Sequence, residues 1–184
     1  MGRPGNYFEV ARYLQSTSVP RFVEFKHSGY FCGYEEVSGR AFIINLLTLY
    51  VANVTREGNR IVSVSETGPV WSRSPDDLRS ICENAAPTTS VSNGPGRVEQ
   101  ALILGLEDYE TGAIASLVVH DPDSRAAIGR LYNLSSRTCK FYDIVVKLTT
   151  LKQAGPTGYP ISVPELSLVG PEGRSAPDLD DDIP

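Results

Sequence analysis

The run Arg40-Ala41-Phe42-Ile43-Ile44-Asn45-Leu46-Leu47-Thr48-Leu49-Tyr50-Val51-Ala52-Asn53-Val54 decides the fold class. It is the longest stretch rich in Ile, Val, Thr, Phe and Tyr, and its apolar residues fall on both faces, as in a strand buried on both sides. We read it as one long central strand. Arg56-Glu57-Gly58-Asn59 supplies turn chemistry after it, and Arg60-Ile61-Val62-Ser63-Val64-Ser65 returns as the second strand of a hairpin.

Working outward, Phe22, Val23, Phe25, Tyr30, Phe31, Cys32 and Tyr34 flank Ser28-Gly29 and read as two strand segments around a turn. Residues 6 to 14 fit a helical face and an alternating one equally, and stay open between helix and strand. Ser74-Pro75-Asp76-Asp77 carries a helix start, with a Ser cap, Pro at the first position and acids in the first turn. Residues 86 to 96 are loop-forming. Val98 to Leu106 and Ala113 to His120 should pair as a hairpin. Asp121-Pro122-Asp123-Ser124 then opens a short helix through about Leu131. Arg137 to Leu151 reads as another long strand, and Ile161 to Val169 as an edge strand, where Pro164 is tolerated. The whole is a mainly β chain, a small barrel or strongly curved sheet with one or two short helices.

The chain has 184 residues, enough for one well-buried core, so residues 1–170 are expected to be a single domain followed by a flexible acidic tail at 171–184. The net charge is −5, of which Asp178, Asp180, Asp181 and Asp182 supply −4, so the body is nearly neutral. A duplex binder that neutralises many phosphates is usually strongly basic, whereas a single-strand binder can lean on stacking and fewer cations. Of the 17 basic residues 13 are Arg, which pairs with phosphate and also lies flat on a base. Cys32, Cys82 and Cys139 form no Cys-x-x-Cys pair, so neither a disulfide framework nor a zinc site is expected, and a reducing cytoplasm fits. The N-terminus carries no signal-peptide pattern, and the apolar stretch Ala41 to Ala52 is too short to span a bilayer.

Chemistry concentrates in two places. Strand alternation from Arg137 puts Arg137, Phe141 and Lys147 on one polar face with Asp143, and Tyr142, Ile144, Val146 and Leu148 on the other. The first face is the expected groove for a single strand, with Tyr30, Phe31 and Tyr34 and the pair Trp71 and Arg73 as further stacking candidates. Core packing is the competing explanation for each aromatic. Only His27 and His120 are present, without a nucleophile, Walker or His-Glu-x-x-His spacing, so no catalytic site, cofactor or metal is expected. Asp121 and Asp123 beside His120 could hold a divalent ion for a nucleic-acid enzyme, but a helix cap explains them more simply.

The second place is the tail. Asp178-Leu179-Asp180-Asp181-Asp182-Ile183-Pro184 cannot bury apolar surface and should act by being captured, with Ile183 and Pro184 as the part a partner grips. Asp180 to Pro184 resembles the acidic C-terminal tip of bacterial single-stranded DNA-binding proteins, an Asp-rich run followed by Ile-Pro-Phe; the final Phe is missing here. The resemblance covers under a tenth of the chain and does not extend to the family's DNA-binding domain. It implies an oligonucleotide-binding (OB) barrel that coats single-stranded DNA in replication, recombination and repair, and a tail that recruits the enzymes of those processes. A divergent phage or plasmid member would fit the long body. Homo-oligomerisation and DNA against RNA stay open. The rival expectation is a β-rich viral or phage structural or assembly protein whose acidic tail keeps it soluble.

Overall fold

The computed structural model describes residues 21–66 and 97–169, and strands make up 57% of the described residues. In chain order these are β1 (Phe22–Lys26), β2 (Gly29–Cys32), β3 (Glu35–Glu36), β4 (Ala41–Ile44), β5 (Tyr50–Glu57), β6 (Arg60–Glu66), β7 (Arg97–Asp108), β8 (Ile114–Val119), the helix α1 (Pro122–Thr138), β9 (Ile144–Ala154) and β10 (Pro160–Leu168). The ten strands form one sheet in the order β10-β9-β4-β7-β8-β1-β2-β3, with β5 on β7 and β6 on β5. Among them only the β1–β8 pair is parallel. The sheet curls into an open half-barrel, so the expected mainly β class, compatible with an OB-like barrel, is what the chain forms.

The hairpins expected from Phe22 to Cys32, from β5 to β6 and from β7 to β8 are all present in antiparallel register. The run Arg40 to Val54, however, is not one strand. Asn45 breaks it: its side chain accepts a hydrogen bond from Leu47 N at 3.0 Å, and Thr48 Oγ1 donates to Asn45 O at 2.7 Å. These local bonds compete with the ladder and fold Leu46–Thr48 into a 3-10 turn. β4 and β5 therefore lie one after the other along β7, and the apolar excess of the run is used by the corner, where Leu46 and Leu49 are buried.

The second correction concerns Arg137 to Leu151. The helix opens where expected, with Asp121 accepting from Ser124 N at 2.8 Å as its cap. It then runs past Leu131 to Thr138, because Ser124, Ala127, Ile128, Leu131, Tyr132 and Ser135 recur at helical spacing and all are buried. Cys139 ends it in the left-handed region (φ 54°), and its N–H bonds back to Ser135 O. Asp143 is left-handed as well (φ 50°), and the strand begins only at Ile144. The helix packs against β10, and its apolar face joins Val23, Tyr30, Leu104, Leu117, Val146 and Leu148 in the main core. A second cluster, Tyr50, Ala52, Val54, Ala101, Ile103 and Val118, lies on the opposite face of β5, β7 and β8.

The expected edge strand is β10, which pairs with β9 alone. The opening segment 6–14, the helix from Ser74, the loop 86–96 and the acidic tail lie outside the described residues.

Ile128 is fully enclosed by this core, so Ile128→Ala should lower the unfolding free energy by about 2–5 kcal/mol. Asp121→Ala, which removes only the cap, should cost about 1 kcal/mol in the same urea titration. Equal small losses would mean that the helix does not carry the core.

Candidate functional site

Alternation along β5 buries Tyr50, Ala52 and Val54 and carries the same face on to Arg56. Glu99 holds the equivalent place on β7, ahead of Ala101 and Ile103, and Glu24 on β1 stands beside Val118 of β8. One guanidinium and two carboxylates thus reach the same interior spot, at 5%, 2% and 4% exposure respectively. Arg56 Nη2 donates to Glu24 Oε1, and its Nε donates to Glu99 Oε1. Burial works against the Arg56 charge, but hydrogen bonds and attraction from Glu24 and Glu99 outweigh it, so its pKa is raised. Lys26 Nζ lies 3.4 Å from Glu24 Oε2, and His120 Nδ1 lies 3.9 Å from Glu24 Oε1. Side chains from β1, β5 and β7, and His120 just after β8, are drawn together at one end of the sheet.

Above this cluster, the β1–β2 and β5–β6 hairpins bound an open groove of about 800 Å³, lined by Arg21, Phe22, Lys26, Tyr34, Arg60 and Ile61 among others, with Glu24 also in the lining. Glycine geometry shapes both rims. Gly33 (φ 64°) turns the chain so that Tyr34 projects fully into solvent, and Gly58 (φ 60°) turns β5 into β6 beside Arg60. A Cβ on Gly29 would sit 2.8 Å from both Glu36 Oε1 and Ser38 Oγ, so a side chain there would require those two side chains to shift. Arg21 is held loosely by Glu35 at 3.8 Å, and Arg60 is ion-paired to none of the described residues. The floor is ion-paired, and the rims carry Arg21 and Arg60, with Glu57 among them, beside an exposed aromatic face.

Of the residues expected to bind a strand, Tyr34 lines this groove. Phe31 is half-buried and directly opposite Glu24 in the β1–β2 ladder, hence on the same face. Tyr30 is core instead: it is 1% exposed, its ring meets Phe25 edge-on at 5.3 Å, and its hydroxyl donates to Glu165 O at 3.3 Å. Burial, then the charges of Glu165 and Asp121, push its ionisation well up despite Arg130. Arg137, Phe141 and Lys147 do not share a face. Arg137 sits exposed in the last helical turn, Phe141 packs into the core beside Tyr132 at 6.0 Å, and Lys147 lies on β9. The left-handed Asp143 breaks the alternation, which turns Phe141 inward and leaves Tyr142, expected on the face of Ile144, Val146 and Leu148, 59% exposed. Trp71 and Arg73 lie outside the described residues.

Asp121 is the helix cap, and Ser124 Oγ donates to its second oxygen at 2.6 Å, which leaves the capping explanation of these residues in force. Among the described residues no group of three or more His, Cys, Asp or Glu side chains stands close enough to hold a metal ion, and no helix is long and apolar enough to cross a membrane. Comparisons with protein-family models, with curated proteins and with solved structures each find no match. The class of the protein therefore rests on the fold and on the groove.

Two outcomes follow. Arg56→Met removes the guanidinium from between two buried carboxylates and should cost about 3–5 kcal/mol by chemical denaturation, whereas Arg60→Met at the rim should be nearly neutral. Tyr30 keeps its proton in the fold above its ordinary value of 10.0, while the unfolded chain loses it there. Stability should therefore fall as pH climbs past about 10, and Tyr30→Phe should flatten that loss. An undiminished alkaline loss in Tyr30→Phe would place its cause elsewhere.

Proposed function

We propose that this chain is a non-enzymatic single-stranded DNA-binding protein and that the strand runs through the groove between the β1–β2 and β5–β6 hairpins. The observation that carries the reading is the convergence of Arg21, Lys26 and Arg60 with the fully exposed Tyr34 around one open groove on a curled sheet. Cations at the rims take phosphates, and the ring of Tyr34 offers a face to bases, an arrangement indifferent to sequence because every base has a π-face. Lys26 and Arg56, the latter shared with Glu99, offset Glu24, which leaves Arg21 and Arg60 as the cations that meet phosphates. The acidic tip that resembles those of single-stranded DNA-binding proteins adds support. Tethered to the body, Asp178 to Asp182 compete with phosphates for the rim cations and, when displaced, recruit replication and repair enzymes.

A β-rich assembly subunit is the second reading. It is favoured by the projecting β9–β10 hairpin, which leaves Leu151, Tyr159 and Ile161 exposed.

Titration of the purified chain with oligo-dT at two salt concentrations separates the two. Fluorescence quenching should report binding that weakens with salt, by about 0.7 in log K per log salt for each phosphate neutralised. Tyr34→Ala should weaken it by about 1–3 kcal/mol with the fold intact, and Arg60→Ala should remove about one phosphate from the slope. Absence of binding at low salt, or binding that Tyr34→Ala leaves untouched, removes the groove from the account.

A further inference from the structure

β8 is the strand between β7 and β1, and it stops early. Its last pairings are Val119 with Leu102 of β7 and Val118 with Glu24 of β1, after which the chain turns off at Asp121 into the helix. Beyond that point β7 is paired with β5 alone, from Ala101 back to Arg97, and β1 with β2 alone, at Phe25 and Lys26. Among the described residues no strand fills the space between. The two walls of the groove, the β1–β2 and β5–β6 hairpins, therefore run on without a backbone ladder to hold them together.

Arg56 crosses this gap. Its Nε donates to Glu99 on β7, its Nη2 donates to Glu24 on β1, and its Nη1 reaches Asn59 O in the β5–β6 turn at 3.5 Å. A guanidinium is a rigid planar fork, so its partners are held at fixed places relative to one another. Two of them, Glu24 and Asn59, line the groove from opposite walls, and Asn59 is followed at once by the rim cation Arg60.

Glu24 is the member of this group that charge does not explain. It has the sign of a nucleic-acid backbone, it stands in the lining of the groove, and it draws Lys26 to 3.4 Å. Its removal would leave Arg56 and Glu99 as a neutral pair and release Lys26 to the opening, so by charge alone a polyanion should bind better without it. Stability does not explain it either, since buried ion pairs are often replaceable by apolar side chains without loss. What Glu24 alone among the carboxylates of the cluster supplies is an acceptor on the far wall.

We propose, on the single-strand reading of the groove, that Glu24 is a positioning residue: by accepting from Arg56 it ties the two walls and sets the spacing at which Arg21 on one side and Arg60 on the other meet the strand. The tie acts before the ligand arrives. Walls already held at the bound spacing need not be ordered on binding, and that saving outweighs the repulsion from one shared carboxylate.

A charge-matched pair of variants tests this. Glu24→Gln and Glu24→Leu both remove the carboxylate and free Lys26, but the amide oxygen of Gln still accepts from Arg56, whereas Leu, of comparable size, cannot. Oligo-dT should bind Glu24→Gln at least as tightly as wild type and Glu24→Leu about tenfold more weakly. The slope of log K against log salt should be equal in the two, because no phosphate contact separates them. Phe22 and Ile61 pack on the second cluster from either wall, so both variants should keep the wild-type circular dichroism. Without oligonucleotide, amide hydrogen exchange at Lys26 and Arg60 should be faster in Glu24→Leu than in Glu24→Gln. Two variants that bind alike, or that exchange alike, overturn the positioning role and leave the single-strand reading standing. A wild-type chain that ignores oligo-dT overturns both.

Discussion

The structure depends on a charge placed where strand alternation calls for an apolar residue. Arg56 continues the face of Tyr50, Ala52 and Val54 into the interior, and a lone buried guanidinium would cost more free energy than the hairpin could supply. Glu24 and Glu99 make the position tolerable, and each needs Arg56 for the same reason. The three residues come from strands that are far apart in sequence and joined in space by β8. Correct pairing of β5 with β7 and of β1 with β8 is thus a condition of electrical neutrality as well as of packing. Replacement of all three by apolar residues need not destabilise the fold, but it would remove this check on register.

The same neutrality conditions the groove. Without Arg56, Glu24 would present a carboxylate, compensated by Lys26 at one oxygen only, to whatever enters between the two hairpins. With Arg56 beneath, Glu24 is shared between two cations, and Arg21, Lys26 and Arg60 face the opening with modest net charge. Such a surface suits a ligand whose binding draws on stacking as much as on charge. The near neutrality of the whole body apart from its acidic tip agrees with that.

Much of the sheet was legible because its hairpins carry both signals that local physics supplies, alternation and turn residues. Gly29 and Gly58, with the β-rich runs on either side, marked β1–β2 and β5–β6. The helix end was hidden because Cys139 and Asp143, the residues that take the left-handed conformation, are not glycines. Without a glycine to mark the break, Arg137 to Leu151 reads as one extended run, and Phe141 and Tyr142 exchange faces. Asn45 gave a weak warning of the corner in the longest run, outweighed by the β-branched residues around it. At the site, Tyr34 could be named from its Gly-bearing turn, but Tyr30 could not be distinguished from it, since burial of one ring and exposure of the other is decided by β9, β10 and the helix. Arg56 and Glu99 do carry a signal in the sequence: opposite charges at period two from runs of buried apolar residues.

On the proposed reading the groove pinned by Arg56, and not the face of β9, receives the strand. Amide chemical-shift mapping of the isotope-labelled chain during addition of oligo-dT tests it most directly. The largest shifts are expected at Phe22, Lys26, Tyr34 and Arg60, with Ile144 to Leu148 unmoved. Shifts centred on β9, or none at saturating oligonucleotide, would contradict it.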